Sequence, residues 1–275
     1  HGGLHVCRYY KPSQRPARPD RTLGVSGQSE GLLMFDTFLD HLPRFANWET
    51  AGYFYHAMIT TLQMTMIGCG IGFILGFMLV YLRTTPGWVC LPLRLTMVAF
   101  AEFFRRVPFL VLLFLVLFIS KGVGFSFSLF GVACISIVIF STAFISEIIR
   151  AGLESVHQTQ WDAATVMNFS RLETLTYVVV PQSWKVILPP AFAFFVMFIK
   201  DSSLASQVGV MELTAVAKYY NNVVGTSAIL SFGTCLILYF ILSYPMTRLG
   251  WWIEKRMKRG GIADKRSEAQ VQRAY

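Results

Sequence analysis

Residues 147–201 read EIIRAGLESVHQTQWDAATVMNFSRLETLTYVVVPQSWKVILPPAFAFFVMFIKD, and the reading of this stretch decides the fold. It begins and ends in apolar sequence and turns polar between. A helical crossing of a bilayer takes roughly 20 mostly apolar residues, and the runs on both sides are of that order. Connections between packed helices are usually about 2–8 residues, so the polar segment from 151 to 181 is long enough to need a task of its own. Gln160 to Met167 carries helix formers together with two small residues, Ala163 and Ala164. Small side chains let a short helix seat deeply in a partner's groove, and Asp162 is well placed near the positive end of the helix. Asn168 then stands where such a helix ends, a position that favours a left-handed backbone and therefore Gly or Asn.

Composition sets the surroundings. Hydrophobic residues make up 54% of the 275, and charged residues only 14%, against about a quarter in an ordinary soluble domain. The 24 phenylalanines suit contact with lipid. The chain reads as an all-α integral membrane protein. Its net charge of +9 does not point to nucleic acid, because much of the excess lies between Lys255 and Arg273, just past the last apolar run. Basic residues flanking a span are retained on the cytosolic side and attract acidic lipid heads. The five cysteines, Cys7, Cys69, Cys90, Cys134 and Cys235, form neither a paired framework nor a metal motif.

Five crossings are expected. The first runs from Tyr55 to Leu82 and is closed by Arg83; its Gly68, Gly72 and Gly76 recur every four residues, a face for close helix approach. The second needs Val107–Ile119 plus an extension back towards Leu95, which draws Glu102, Arg105 and Arg106 into or near the membrane. Pro108 removes one backbone donor there, so a kink is expected. The third covers about 127–150, the fourth about 182–200, and the fifth about 227–249, with Pro245 as a kink and Trp251 and Trp252 as interface anchors. Between the last two, residues 201–225 read as a break followed by a short amphipathic helix.

Five crossings put the termini on opposite sides. With the N-terminus outside, Arg83, Arg94, Arg150, Arg171, Lys185 and the basic tail all fall on the cytosolic side, while Lys121, Lys218 and Lys200 fall on or near the other. The basic leader before Met34 runs against this count. It reads as a cloning remnant, an upstream extension or a disordered arm.

Asp162-Ala163-Ala164, followed by Asn168 and then by Val178-Val179-Val180-Pro181, resembles the EAA signature of membrane subunits of bacterial ABC importers: E-A-A, three residues, G, nine residues, I-x-L-P. The spacing agrees throughout. Asp replaces Glu at 162, Asn replaces Gly at 168, and Val replaces Ile and Leu at 178 and 180. The flanking text is most similar to the polar amino-acid uptake branch. The resemblance covers about 55–256 and implies a five-helix permease domain of the type I importer fold. On this division 1–33 is a leader, 34–54 a periplasmic or interfacial segment, 55–256 the permease domain with its coupling loop at 151–181, and 257–275 a basic cytosolic tail.

The resemblance further implies that Gln160, Trp161, Asp162, Ala163, Ala164, Asn168 and Pro181 couple the chain to a separate ATP-binding subunit, present as a dimer. Glu102, Arg105 and Pro108 lie in EFFRRVPFL, similar to the family's E-x-x-R-G-T-P-x-L, and Lys200, Asp201, Ser202 and Ser203 lie in KDSSL, similar to K-D-T-S-L. Both are candidates for the substrate path or a gate. Arg105 could meet an amino acid's carboxylate, and an Asp beside a Lys offers a partner for each end of a zwitterion. Each could equally be an ion pair that fixes helix depth. Glu147, Arg150 and Gly152 match E-I-x-R-x-G and are expected to brace the start of the loop. No GxxxxGK[ST] phosphate loop is present in the sequence, so ATP and Mg would be used by the partner, with no cofactor or metal held by this chain. A second permease, homologous or identical, a periplasmic solute-binding protein, an amino-acid substrate and the lipid of a bacterial inner membrane complete the expected partners. A secondary transporter and a non-transporting scaffold are the alternatives.

Overall fold

Glycine spacing in the first long helix sets how the bundle packs. The computed structural model describes residues 42, 47–83, 91–125 and 127–274, with side chains through 257, and the regular structure among them is helical. Helix α1 (Trp48–Arg83) lays Gly68, Gly72 and Gly76 against α4 (Leu129–Glu154). A Cβ at Gly68 would overlap Ile137, one at Gly72 would overlap the Ser141 hydroxyl, and one at Gly76 would stand 3.2 Å from the Ser146 nitrogen. The close approach lets Ser141 Oγ donate to the Gly68 carbonyl at 3.1 Å. In lipid, where apolar burial gives helices no reason to associate, such packing and hydrogen bonding hold them together.

Between them, α2 (Leu91–Arg106) and α3 (Phe109–Gly122) are bent by 114°. The sequence suggested one kinked crossing; the structure has a break. Pro108 is extended (φ −60°, ψ 136°), offers no N–H to the preceding helix, and starts a new one by accepting from Val111 and Leu112 at 3.0 and 3.2 Å. Among the described residues, four helical segments are long and apolar enough to cross a membrane, and the bent pair makes a fifth if it counts as one.

The ascending fourth crossing begins earlier than expected. Ser170 and Glu173 form a capping box that starts a helical turn at Arg171–Glu173, and the chain continues through a π-helical stretch, Thr174–Val179, into α6 (Val180–Asp201). Val178 to Pro181 therefore lie inside the crossing helix and not in the loop, which shrinks to about 155–170 around α5 (Gln158–Val166). Pro181 is tolerated because the π stretch shifts the hydrogen-bond register just before it: the Val180 N–H reaches back to Leu175. Beyond α6 a 3₁₀ helix, Ser202–Val208, ends at Gly209, whose φ of 92° belongs to glycine. Then come α7 (Leu213–Asn222), the expected short helix, and α8 (Ala228–Ala274), which continues through Pro245.

Two separate clusters fill the interior. The larger joins α3, α4 and α6 through Phe109, Phe140, Phe194 and Phe198, with ring centroids 5.1–5.5 Å apart. The smaller joins the start of α1 to α7 and α8 through Phe54, Ala57, Leu213, Val216, Ala217, Tyr220 and Cys235. Because Phe144 meets Phe194 and Gly152 meets Ile187, α4 and α6 run antiparallel. The inner end of α4 and the start of α6 thus share one face of the bundle with α5, and Asp201 lies at the other. The leader, and most of 34–54, lie outside the described residues.

Candidate functional site

Helix α5 projects from the face where α4 ends and α6 begins. Ala164 is buried against the bundle, Trp161 packs half-buried on the larger cluster, and Ala163 faces outward with Asp162. Gln158 Nε2 donates to Asp162 Oδ1 at 3.1 Å, and Gln182 Nε2 of α6 donates to Gln160 Oε1 at 3.1 Å, so the helix is tied to the crossing behind it. It ends in a Schellman motif: the Asn168 N–H binds the Thr165 carbonyl and the Phe169 N–H the Ala164 carbonyl, both at 3.0 Å. Asn168 has φ 58°, the only positive φ at a non-glycine among the described residues. Asn168 therefore holds the left-handed position that glycine takes in the signature. Around this knob Val166 (87% exposed), Met167, Leu172 and Tyr177 face outward, an apolar rim of the kind that marks a protein contact. The sequence reading did not single these out. Pro181 is exposed in the first turn of α6.

Beside α5 lies a network of charge. Glu147 accepts from Arg150 Nε at 3.0 Å and stands 3.6 Å from Arg83 Nη1 and 3.7 Å from Arg105 Nη1. Arg105 also pairs with Glu102, Arg150 with Glu154, and Arg106 with Glu102 at 2.9 Å. The structure thus brings together Glu102 and Arg105, expected in the path, with Glu147 and Arg150, expected to brace the loop. Arg83 links α1 to them and was not counted among the site residues, although a lone arginine closing a long uncharged run is a visible signal. Arg105 Nε and Glu147 Oε2 are buried without a hydrogen-bond partner. Gly152, one turn further on, admits the Ile187 side chain and so sets the spacing of α4 and α6.

Lys200, Asp201, Ser202 and Ser203 lie at the far end of α6 and do not reach this network. Lys200 is exposed and Asp201 half-buried, and among the described residues the two form no ion pair. Ser202 is buried and donates to the Ile199 carbonyl at 2.7 Å; Ser203 accepts through its carbonyl from Ser206 at 2.8 Å.

Residues 68–259 match a family described as the binding-protein-dependent transport system inner membrane component. The chain belongs to this family. Its relatives include the glutamine transport system permease protein GlnP of Escherichia coli K12, 30% identical over 223 residues that cover 78% of this chain and 96% of that one. The probable glutamine ABC transporter permease protein GlnM of Bacillus subtilis is 29% identical, covering 75% and 92%. The L-cystine transport system permease protein TcyB of the same organism is 29% identical, covering 72% and 84%. Among solved structures, an amino acid ABC transporter crystallised with histidines superposes with a TM-score of 0.70 at 26% identity, covering 80% of this chain and 98% of that one. The MetNI methionine transporter shares the fold, with a TM-score of 0.66 at 23% identity over 77% and 99%. The type I importer permease fold and a membrane location follow for this chain.

Within that fold one buried acid had no forecast. Glu212, at the start of α7, is fully buried. It accepts from Tyr239 Oη of α8 at 2.6 Å and from the Thr214 and Ala215 N–H groups at 2.9 Å. The next N–H, of Leu213, points at Thr61 Oγ1 of α1 at 3.4 Å. Burial pushes its carboxyl above the usual carboxylate range, while Tyr239, the two backbone donors and the nearby Lys218 pull the other way. An acid just after Gly209 and just before a helix was the available signal. Its phenol partner lies 27 residues away in sequence, and the Thr61 that faces the neighbouring Leu213 N–H lies 152 residues from Leu213; nothing local names either.

Proposed function

We propose that this chain is the transmembrane permease subunit of an ATP-driven importer of amino acids or their close derivatives, forming half of the translocation path. The observation that carries the reading is α5: a short helix at the membrane face, small outward at Ala163, ended by the left-handed Asn168 and rimmed by exposed apolar side chains. Such a knob fits a groove on a separate ATP-binding subunit, which would hold ATP and Mg. The names of the relatives, glutamine and cystine permeases, favour an amino-acid cargo. A second permease completes the path, and a solute-binding protein delivers cargo from outside.

Closure of the ATPase dimer would push α5 as a rigid body. Gln160–Gln182 passes the displacement to α6, and the Glu147 network passes it from the root of the loop to α2 and α1. In this reading Arg105 and Glu102 serve the inner end of the path, and Lys200 with Asp201 serves its outer end. The arginines of the network, the start of α6 and the basic tail all lie on the α5 face, which supports an N-outside, C-cytosolic orientation. The permease domain spans 55–256 and the coupling segment sits within it.

The test is assembly. Tagged chain purified from membranes in mild detergent should carry a second polypeptide that hydrolyses ATP, and Ala163→Arg should remove it while the helical content stays unchanged. An ATPase that stays bound at the wild-type level to Ala163→Arg overturns the docking role of α5. A chain that moves solute alone, with no ATPase bound, would instead be a secondary transporter.

A further inference from the structure

We propose that the groove between α6 and α8 binds an anionic phospholipid, with its headgroup on Arg248 and Lys255 and an acyl chain along the groove. A cavity of about 350 Å³ lies there, walled by Phe192, Ala193 and Val196 of α6 and by Met246 and Gly250 of α8. It exists because Gly250 lets α8 touch Phe192, 3.0 Å from where a Cβ would stand, so that the helices meet at one line and leave space beside it. Towards the C-terminal end of α8 its lining continues with Trp251 and Glu254. That end lies just past the apolar stretch of α8 and on the α5 face, because α8 runs antiparallel to α6 there; it is at interface depth, where tryptophans anchor.

The charges at this end are arranged for an anion. Arg248 and Lys255 both lie over the Trp251 ring, 5.2 and 4.8 Å from its centroid, and Arg256 lies 5.1 Å from that of Trp252. None of the three enters an ion pair among the described residues. Against Glu254 they leave a surplus of two positive charges (three minus one). A cation held over an indole keeps hydrogen-bond donors at its edge for a phosphate. The occupant must therefore be apolar where it meets Phe192, Val196 and Met246, and negative at the Trp251 level. An anionic phospholipid is both. A soluble anion has no use for the groove, and a second copy of this patch would bring the same surplus of positive charge to the contact.

The test measures lipid retained by the full chain in mild detergent, by native mass spectrometry, with phosphatidylglycerol or phosphatidylcholine added. The wild type should retain phosphatidylglycerol at least five-fold better. The double variant R248Q/K255Q should bring phosphatidylglycerol down to the phosphatidylcholine level, and A193L, which fills the groove from an exposed position, should lower retention of both lipids. E254Q should raise phosphatidylglycerol retention, a gain that a damaged fold cannot produce. Equal retention of the two lipids by the wild type overturns the proposal. So does an unchanged phosphatidylglycerol excess in R248Q/K255Q, or wild-type retention in A193L. The outcome is independent of whether an ATPase binds α5.

Discussion

Two carboxylates organise opposite ends of the molecule, and they are held in opposite ways. Glu147 is a quarter exposed, faces three arginines, and makes two of those contacts at 3.6–3.7 Å with one oxygen left without a hydrogen bond. Glu212 is fully buried, meets no arginine, and has both oxygens taken by a phenol and two backbone N–H groups. The first holds Arg150 by hydrogen bonds and has Arg83 and Arg105 standing at longer range, alternatives it can take up as helices shift. The second has one geometry, and leaving it exposes several buried donors at once. A rearrangeable joint beside α5 and a fixed clamp at the far end is what a helix bundle rocked from one face requires.

The comparison breaks most easily at the clamp. Glu212→Ala leaves two backbone donors buried without an acceptor and the Tyr239 hydroxyl with only Thr214 Oγ1 at 3.2 Å, and should cost about 3 kcal/mol, read as a large drop in the thermal unfolding midpoint in detergent. Tyr239→Phe removes the hydrogen bond to Glu212 and the longer one with Thr214 Oγ1, and should cost about 1–2 kcal/mol by the same measure. Equal stability of Glu212→Ala and the wild type would remove the clamp from the account. At the other end, Glu147→Gln should cost less than about 1 kcal/mol, because partly exposed ion pairs contribute little, yet should lower uptake strongly in vesicles. Stability and transport thus separate at Glu147 and fall together at Glu212.

The smallest effect is on pH. A carboxyl whose folded pKa is raised contributes stability while it is protonated in the fold, and that contribution falls as pH rises from its unfolded value through its folded one. The wild type should therefore lose a little stability as pH climbs above the ordinary carboxylate range, and Glu212→Gln should lose this slope. A matching slope in Glu212→Gln would place its origin elsewhere.

What could be read from the sequence was local. The spacing of Gly68, Gly72 and Gly76 along one helix face gives the α1–α4 contact directly, and Asp162 to Asn168 gives α5 with its left-handed end, because both patterns close within a few turns. Pro108 announces a disturbance but not its size: whether a proline kinks or breaks a helix depends on what α2 and α3 pack against. Val178 to Pro181 reads as loop because it closes the polar segment and its signature, and the π turn that carries the helix through it leaves no signature in residue type. The union of Arg105 with Glu147, of Glu212 with Tyr239, and of Leu213 with Thr61, depends on tertiary approach of distant segments, which periodicity cannot supply.

The central claim is that α5 receives force from a separate ATP-driven subunit. It is tested most directly by the rate of ATP-driven solute uptake in vesicles supplied with all the subunits, with Ala163→Arg in this chain. The account predicts that this rate falls at least ten-fold while the helices remain folded. A rate equal to that of the wild type would contradict it.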